Sequence, residues 1–185
     1  MALVVFLRGV NVGGHRTFRP AALAKELAGF DAVNIGAAGT FVVRKPGTLA
    51  RLRKEVARRL PFDTKIMIFH GREILRMVSQ NHFADQPVRP DVVRFVSVLS
   101  RCPRLKPSIP VSFPESGTWL LKILARERRF VFGVYRRQMN AIGYLGEIDR
   151  LFGVPATTRN WNTINKIVAA VCLPARRLPR RAAGN

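Results

Sequence analysis

The chain has 185 residues, of which 48% are hydrophobic and 23% charged, a balance typical of a globular protein with one core or two small subdomains. No apolar run approaches the ~18 residues of a membrane span, and the N-terminus lacks the basic start and cleavage site of a secretory signal, so we expect a cytoplasmic protein. The charge is unusual, since 32 Lys and Arg against 11 Asp and Glu give a net charge of +21.

Strand and helix patterns alternate at the start of the chain. Leu3–Leu7 is predicted to be a strand, and the loop RGVNVGGHRTF follows it. Pro20 suits the first turn of a short helix that ends near Gly29. The segments DAVNI and TFVVR are predicted to be two short strands. The glycines of GAAG, which lies between them, suit a hairpin-like turn.

A second helix and a fourth strand complete the pattern of the first 70 residues. Thr48 is a suitable N-cap, the apolar residues after it keep helical spacing, and Pro61 ends the helix. The segment KIMIF is the fourth strand. The order β-α-β-β-α-β is ferredoxin-like and predicts a four-stranded antiparallel sheet with both helices on one face. Because the first strand is apolar on both sides, we expect the second half of the chain to cover the other face.

The second half is predicted to be a smaller α+β unit that ends in a helix. It begins with the helix GREILRMVSQ, a loop over residues 81–91 and the strand VVRFVSVL. Prolines favour irregular structure, with at most one helical turn, over residues 101–118. The segments WLLKIL and RFVFGVY are expected to pair as a hairpin, and YLGEIDRLFG is expected to be an amphipathic helix that Gly153 ends. The last helix is predicted over residues 159–171.

These patterns predict an α+β fold in three parts. A ferredoxin-like subdomain covers residues 1–70, a second α+β subdomain covers residues 71–173, and a basic tail covers residues 174–185. The tail, PARRLPRRAAGN, is rich in Pro and Arg and has little apolar surface to bury. We therefore expect the tail to be disordered.

The loop RGVNVGG, after the first strand, is the first of two polar motifs. Gly13 and Gly14 permit positive φ angles and a close backbone approach, while Arg8 and Asn11 add a charge and an amide. Such a loop can cradle a phosphate, although no helix follows it directly and neither common phosphate-loop pattern is present. The alternative is a tight turn in which Arg8 and Asn11 hold a neighbouring segment.

The second polar motif is TTRNWNT, at residues 157–163. With Thr158 as N-cap of the last helix, Trp161 falls on the apolar stripe and is expected to be largely buried. The polar side chains beside this helix start are Arg159, Asn160, Asn162 and Thr163. A helix N-terminus favours anions, and the Asn11 oxygen is a candidate acceptor for its N–H groups. We expect the two motifs to meet, and to form either an anion site or a structural hydrogen-bond network.

Both motifs match one family. The sequence resembles the bacterial domain-of-unknown-function family 1697, whose members begin with a strand and R-G-[IV]-N-V-G-G and end with T-x-R-N-W-x-T before a final helix. The resemblance covers about residues 2–172. It implies an α+β fold with a ferredoxin-like first half, and it implies no established activity. The family usually carries Q-S-G-N where this chain has Ala37, Ala38, Gly39 and Thr40, so part of any polar site there is lost or used differently.

Groups suited to catalysis or metal binding are scarce. The three histidines and two cysteines are scattered without metal-ligand spacing, so no metal or cofactor is predicted. Neither motif contains Cys, His, Asp or Glu, and arginine and asparagine do not readily transfer protons. Glu147 and Asp149 lie on a predicted helix whose other face is apolar, which favours a solvated position. Catalysis is therefore the less favoured class.

The charge leaves two interpretations open. A net charge of +21 attracts polyanions, which favours a non-catalytic protein that binds nucleic acid through its basic surface. Alternatively, a GC-rich genome encodes arginine in place of lysine on an ordinary solvated surface. A third possibility is a small anionic ligand, such as a nucleotide, bound between the RGVNVGG loop and the start of the last helix.

Overall fold

The first half of the chain folds around the strand that the sequence places in its centre. A computed structural model describes residues 1–11 and 17–174. The strands of the first half are β1 (Leu3–Leu7), β2 (Ala32–Asn34), β3 (Thr40–Val43) and β4 (Ile66–His70), and its helices are α1 (Pro20–Glu26) and α2 (Leu49–Arg59). The sheet is antiparallel with the order β2-β3-β1-β4. The predicted ferredoxin-like pattern is confirmed.

Strand β1 is buried on both faces, as its composition predicts. All five of its residues are buried, and alternate residues belong to different hydrophobic clusters. Leu3, Val5 and Leu7 pack in a cluster with residues of α1 and α2. Val4 and Phe6 point the other way, into a cluster that contains residues of the second half. The prediction that the second half covers this face is therefore confirmed.

Helix α2 begins and packs as its sequence predicts. The Thr48 hydroxyl accepts a hydrogen bond from the backbone N–H of Arg51 at 3.2 Å, which satisfies one of the free N–H groups at the helix start. Leu52 and Val56, one turn apart, are buried against the first sheet. Arginine and lysine occupy the outward positions between these residues, so the exposed face of α2 is basic.

The second half forms a five-stranded antiparallel sheet with the order β6-β7-β8-β5-β9. Its strands are β5 (Val92–Leu99), β6 (Val111–Phe113), β7 (Leu121–Glu127), β8 (Phe130–Arg136) and β9 (Ala156–Asn160). Its helices are α3 (Gly71–Ser79), α4 (Met139–Gly143), α5 (Glu147–Phe152) and α6 (Trp161–Cys172). The predicted helix at α3, the strand at β5 and the β7–β8 hairpin are confirmed.

Three short elements differ from the sequence prediction. Strand β6 lies within the proline-rich segment, and helix α4 follows β8 without a strong apolar pattern. Strand β9 occupies residues that were predicted to begin the last helix, and it pairs with β5, so that Thr158 lies opposite Ser97. The two hydroxyl oxygens of that pair are 2.6 Å apart. The prediction of Thr158 as N-cap is therefore wrong, because pairing with β5 keeps this segment extended.

The two sheets share one hydrophobic cluster. The rings of Phe69 on β4 and Phe130 on β8 have centroids 4.9 Å apart. Ile74 of α3 and Ile164 of α6 are buried in the same cluster. The two halves thus pack on a common core, while their division into subdomains at residue 70 stays a prediction. Within the described ranges, no helix is long and apolar enough to cross a membrane.

Candidate functional site

The two polar motifs lie together in the structure, as predicted. Arg8, which follows β1, donates from Nε to the backbone oxygen of Ala156 at 3.1 Å. Arg159 on β9 donates from Nη2 to the backbone oxygen of Leu7 at 2.9 Å. The end of β1 and strand β9 are therefore joined by hydrogen bonds in both directions. Gly13 and Gly14 lie outside the described residues.

Arg159 is buried and its donors are all used. Its side chain makes hydrogen bonds to Thr40 Oγ1 at 2.6 Å, Thr157 Oγ1 at 2.8 Å, Thr158 O at 2.8 Å, Leu7 O at 2.9 Å and Ala38 O at 2.6 Å. A guanidinium group has five N–H donors, so this set leaves none for a ligand. All five donors of Arg159 thus bind protein oxygens, and its role as a ligand-binding residue stays a prediction.

The acceptors around Arg159 are neutral oxygens, and no carboxylate of the described residues pairs with it. Burial lowers the pKa of Arg159 to about 10, because the charged form loses hydration. That value still leaves the guanidinium protonated at neutral pH. The group also lies over the Phe6 ring, with Cζ 5.7 Å from the ring centroid. A charged group with its donors satisfied links the two sheets at this point.

The guanidinium group of Arg8 also binds other residues of the protein. Its Nη2 lies 2.6 Å from Asp149 Oδ2, and the other oxygen of Asp149 accepts from the backbone N–H of Ala156 at 2.8 Å. Asp149 on α5 was predicted to lie on a solvated face, and this prediction is wrong because Asp149 bridges Arg8 and the start of β9. The Asp149 carboxylate offsets the charge of Arg8, although the Arg8 side chain is still 38% exposed.

The side chain of Asn11 makes hydrogen bonds to two backbone groups of neighbouring segments. Its φ of 54° is in the left-handed region, which asparagine tolerates better than most residues. Its side-chain oxygen accepts from the backbone N–H of Phe18 at 2.9 Å, and its Nδ2 donates to the backbone oxygen of Ala37 at 2.8 Å. The prediction that Asn11 caps the last helix is therefore wrong.

Asn160 caps helix α6. Its Oδ1 accepts from the backbone N–H and from the hydroxyl of Thr163, both at 2.8 Å. Asparagine is among the preferred N-cap residues, and the bond satisfies one of the free N–H groups at the helix start. Thr163 thus has a capping contact, while Asn162 is exposed at the next position of the same helix start.

A groove opens where β5 begins and β8 and β9 end, with a volume of about 730 Å³. Residues that line it include Arg89, Arg94, Tyr135, Arg137, Trp161 and Asn162, and we call it the arginine groove. Asn160 lines it as well, and none of its lining residues is acidic. Two of the predicted site residues, Asn160 and Asn162, therefore lie at this groove, which neither Arg8 nor Asn11 lines.

Trp161 is half-buried, so the prediction that it is largely buried is wrong in part. Its ring packs edge-to-face on Phe83, with centroids 4.9 Å apart, and it contacts the shared core. Another part of its surface lines the arginine groove. Tyr135 is also half-buried there, and burial raises the pKa of its hydroxyl.

The arginines of the groove differ in their partners. Arg89 is held by Asp91 through two hydrogen bonds, at 2.9 and 3.1 Å. Arg94 donates to the backbone oxygen of Gln86, and its Cζ lies 5.5 Å from the centroid of the Phe83 ring. Arg137 is exposed. Among the described residues, Arg94 and Arg137 have no carboxylate partner.

These groove residues were missed because their positions converge only after the strands pair. Arg94 lies near the start of β5, and Arg137 follows the end of β8. Antiparallel pairing places Val92 opposite Arg136, which brings the two segments side by side. A correct prediction of the register between β5 and β8 was the one sequence signal that could have placed these residues side by side. Across the described ranges, no three His, Cys, Asp or Glu side chains are grouped to hold a metal ion.

Comparison with known proteins identifies the family. A family model described as "Protein of unknown function (DUF1697)" matches residues 1–107, which is more than half of the chain. The chain belongs to this family. The match includes the RGVNVGG motif of this DUF1697 member and ends before TTRNWNT. No curated protein matches the chain.

A solved structure shares the fold of this DUF1697 member. The structure of the conserved bacterial protein SP0830 from Streptococcus pneumoniae covers 92% of this chain and 98% of its own length, with a TM-score of 0.60 and 14% sequence identity. At that identity the likeness shows the fold alone. The α+β fold predicted from the sequence is therefore confirmed by the structure and by this comparison.

The segment that departs from the family pattern has a definite role here. Thr40 stands where the family usually carries asparagine, and its hydroxyl accepts a hydrogen bond from Arg159. The backbone oxygen of Ala38 accepts another, at 2.6 Å, so an alanine side chain is sufficient at that position. Two of the residues at this position, Ala38 and Thr40, thus contact Arg159.

Proposed function

We propose that this DUF1697 member is a non-catalytic protein that binds a polyanion, foremost nucleic acid, through its basic surface. The observation that carries the proposal is the net charge of +21 on 185 residues. The field of such a charge concentrates polyanions near the surface and speeds their encounter with the protein. Phosphate contacts of this kind supply most of the affinity of non-specific nucleic-acid binding.

Most of the acidic side chains lie beside basic ones, so the excess of positive charge resides on basic groups without an acidic neighbour. The acidic residues that lie within 4.0 Å of an arginine or histidine nitrogen are Glu26, Asp31, Glu55, Asp91, Glu127, Glu147 and Asp149. Many other basic side chains are exposed, for example Arg51 and Lys54 on α2 and Arg104 before β6. These groups supply the positive surface that the proposal needs.

The exposed charge is distributed over several faces, which favours contacts with phosphates over recognition of one sequence. Phosphate contacts position a nucleic acid but carry no sequence information. We therefore infer binding with little sequence preference, in the cytoplasm, the compartment that the sequence predicts. The Arg-rich segment after Pro174, whose predicted disorder concerns residues outside the described ranges, carries further positive charge.

Salt dependence tests the proposal. Labelled single-stranded RNA, single-stranded DNA and duplex DNA would each be titrated with the protein at about 50 and 200 mM salt, with fluorescence anisotropy as the readout. The proposal predicts saturable binding whose affinity falls by about 10-fold or more over this range. Absence of binding at the lower salt concentration, or affinity indifferent to salt, would contradict it and leave genome composition as the explanation of the charge.

A further inference from the structure

The side chains of Arg94, Trp161 and Arg137 lie on or beside β5 and line the arginine groove. Phe95 pairs with Asn160, so Arg94 and Trp161 are next to each other across the β5–β9 pair, and both contact the ring of Phe83. On the other side of β5, the backbone N–H of Arg137 donates to Asp91 O at 2.8 Å. Neighbouring strands lie about 4.8 Å apart and a strand rises about 3.4 Å per residue, so Arg137, two strands across and three residues along, is separated from Trp161 by roughly 14 Å of sheet. An aromatic ring and two arginines thus border one groove that extends across three strands.

The electrostatics of the groove favour an anion. Arg94 and Arg137 have no carboxylate partner among the described residues, and no acidic residue lines the groove. Asp91, which precedes the groove residue Val92, is bound by Arg89 and lies 3.4 Å from Arg136 Nη1. Arginine is well suited to phosphate because its planar fork of donors matches the phosphate oxygens.

The remaining lining residues suit a flat heterocycle. Trp161 is fixed on one side by Phe83 and lines the groove with its remaining surface. The amide side chains of Gln138 and Asn162 are exposed at the same groove, and each has both a donor and an acceptor. Aromatic side chains next to basic ones are the usual means by which proteins hold the bases of single strands.

We propose that the arginine groove receives one unpaired nucleotide of a single-stranded nucleic acid. The base stacks on Trp161, and the adjoining phosphate is bound by Arg94 and Arg137. This inference rests on the proposed function and adds to it a place on the molecule and a preference for single strands. A base paired in a duplex is not free to stack on a side chain, so duplex DNA would use only the phosphate contacts.

An acidic peptide with apolar side chains is the alternative occupant of the groove. Val88 and Met139, each 87% exposed, also line the groove and would contact the apolar side chains. The nucleotide is favoured because the groove combines a held aromatic ring with two arginines that lack a carboxylate partner among the described residues, and because the overall charge favours a polyanion. An acidic peptide nevertheless serves as a competitor in the test.

The intrinsic fluorescence of Trp161 reports directly on the groove. The chain has two tryptophans, and Trp119→Phe leaves Trp161 as the only one. In this variant, short oligothymidylate is expected to quench the fluorescence saturably, because a stacked base quenches indole emission. An abasic oligomer with the same number of phosphates is expected to bind about 10-fold more weakly and to quench little, since stacking on an aromatic side chain contributes at this scale.

Substitutions identify the phosphate contact. In the Trp119→Phe background, Arg94→Gln and Arg137→Gln are each expected to weaken binding of the oligothymidylate and to reduce its salt slope by about 0.7, the value for one contact with a single strand. Lys54→Gln on the exposed face of α2 makes the same change in charge away from the groove. This control is expected to leave the quenching unchanged.

The outcomes separate this inference from the proposed function. Salt-dependent binding by anisotropy with no quenching of Trp161 would overturn the groove as a nucleotide site and leave surface binding intact. Equal affinity for the abasic oligomer, or equal quenching by polyglutamate, would also overturn it. Absence of binding in both assays would overturn the proposed function as well. The inference is supported if the oligothymidylate quenches Trp161, the abasic oligomer does not, and Arg94→Gln weakens the quenching.

Discussion

Arg159 on β9 and Leu7 on β1 are joined by a hydrogen bond of 2.9 Å from Nη2 to the backbone oxygen, although they are 152 residues apart in sequence. This bond belongs to a set in which every N–H of the buried guanidinium meets a neutral oxygen. A charge that is buried and fully bonded fixes the relative positions of its partners. The contact thus connects the strand that precedes the RGVNVGG motif with the TTRNWNT motif, and it supports a structural role for Arg159.

Loss of the Arg159 guanidinium is expected to destabilise the protein strongly. Arg159→Met keeps much of the side-chain volume but leaves several buried oxygens without donors, which is expected to cost about 3 kcal/mol or more of unfolding free energy. Arg159→Lys keeps the charge with three donors in place of five, so its loss is expected to be smaller. Urea denaturation measures both, and an unchanged unfolding free energy in Arg159→Met would contradict the structural role.

The turn between β2 and β3 is expected to require glycine. Gly39 has a φ of +66°, and a Cβ there would lie 2.5 Å from Val10 Cγ2 and 3.0 Å from Leu7 Cβ. Gly39→Ala is therefore expected to cost about 2–4 kcal/mol, from backbone strain and overpacking together. Gly36 is the matched control, because its φ of +83° carries strain while a Cβ there would meet nothing within 4 Å. Equal losses of stability in the two variants would show that the contact with Val10 is unimportant.

The half-buried position of Trp161 implies a moderate loss on truncation. Full burial predicts a cost of about 3–5 kcal/mol for Trp161→Ala, whereas the observed exposure predicts about 1–3 kcal/mol. Trp161→Phe keeps the ring contact with Phe83 and is expected to cost less. Thermal or urea unfolding distinguishes these values, and a loss near 5 kcal/mol would indicate that the ring is not available to a ligand.

A surface carboxylate is expected to contribute to the acid sensitivity of the protein. Hydrogen bonds from Arg59 and Arg58 lower the pKa of Glu55 from 4.5 to about 2. Because the folded pKa lies below the unfolded value, the stabilisation is present above pH 4.5 and is lost as the pH falls towards about 2. Glu55→Gln is therefore expected to flatten the pH dependence of stability in that interval. NMR titration that gives Glu55 an ordinary pKa would contradict the assignment.

Much of the fold was predictable because its first half has strong local signals. The two-sided apolar pattern of β1, the Thr48 cap and the prolines gave the order of elements, and the hydrophobic spacing gave the faces. Strand β9 was missed because Thr157, Thr158 and Arg159 have no alternation of apolar residues, and the pairing with β5 that makes it extended comes from elsewhere in the chain. Short elements such as β6 and α4 have too few residues for a periodic pattern.

The candidate site was less predictable than the fold. The central position of β1 indicated that the two motifs would lie close together. The partners of Arg159, however, include the backbone oxygens of Leu7 and Ala38, which no side-chain pattern in the sequence predicts. The partnership of Arg8 with Asp149 also depends on how α5 packs. The arginine groove depends on strand register, since its arginines become neighbours only across the β8–β5–β9 pairing.

The measurement that tests the central claim most directly is the salt slope of single-strand binding in two double variants of equal charge. Arg94→Gln with Arg137→Gln removes the two groove arginines that lack a carboxylate partner among the described residues. Arg51→Gln with Lys54→Gln removes two charges from the exposed face of α2. We expect the groove variant to reduce the slope by about 1.4, the value of two contacts with a single strand, and the α2 variant to reduce it less. Absence of single-strand binding by the unmodified protein at about 50 mM salt would contradict nucleic-acid binding itself.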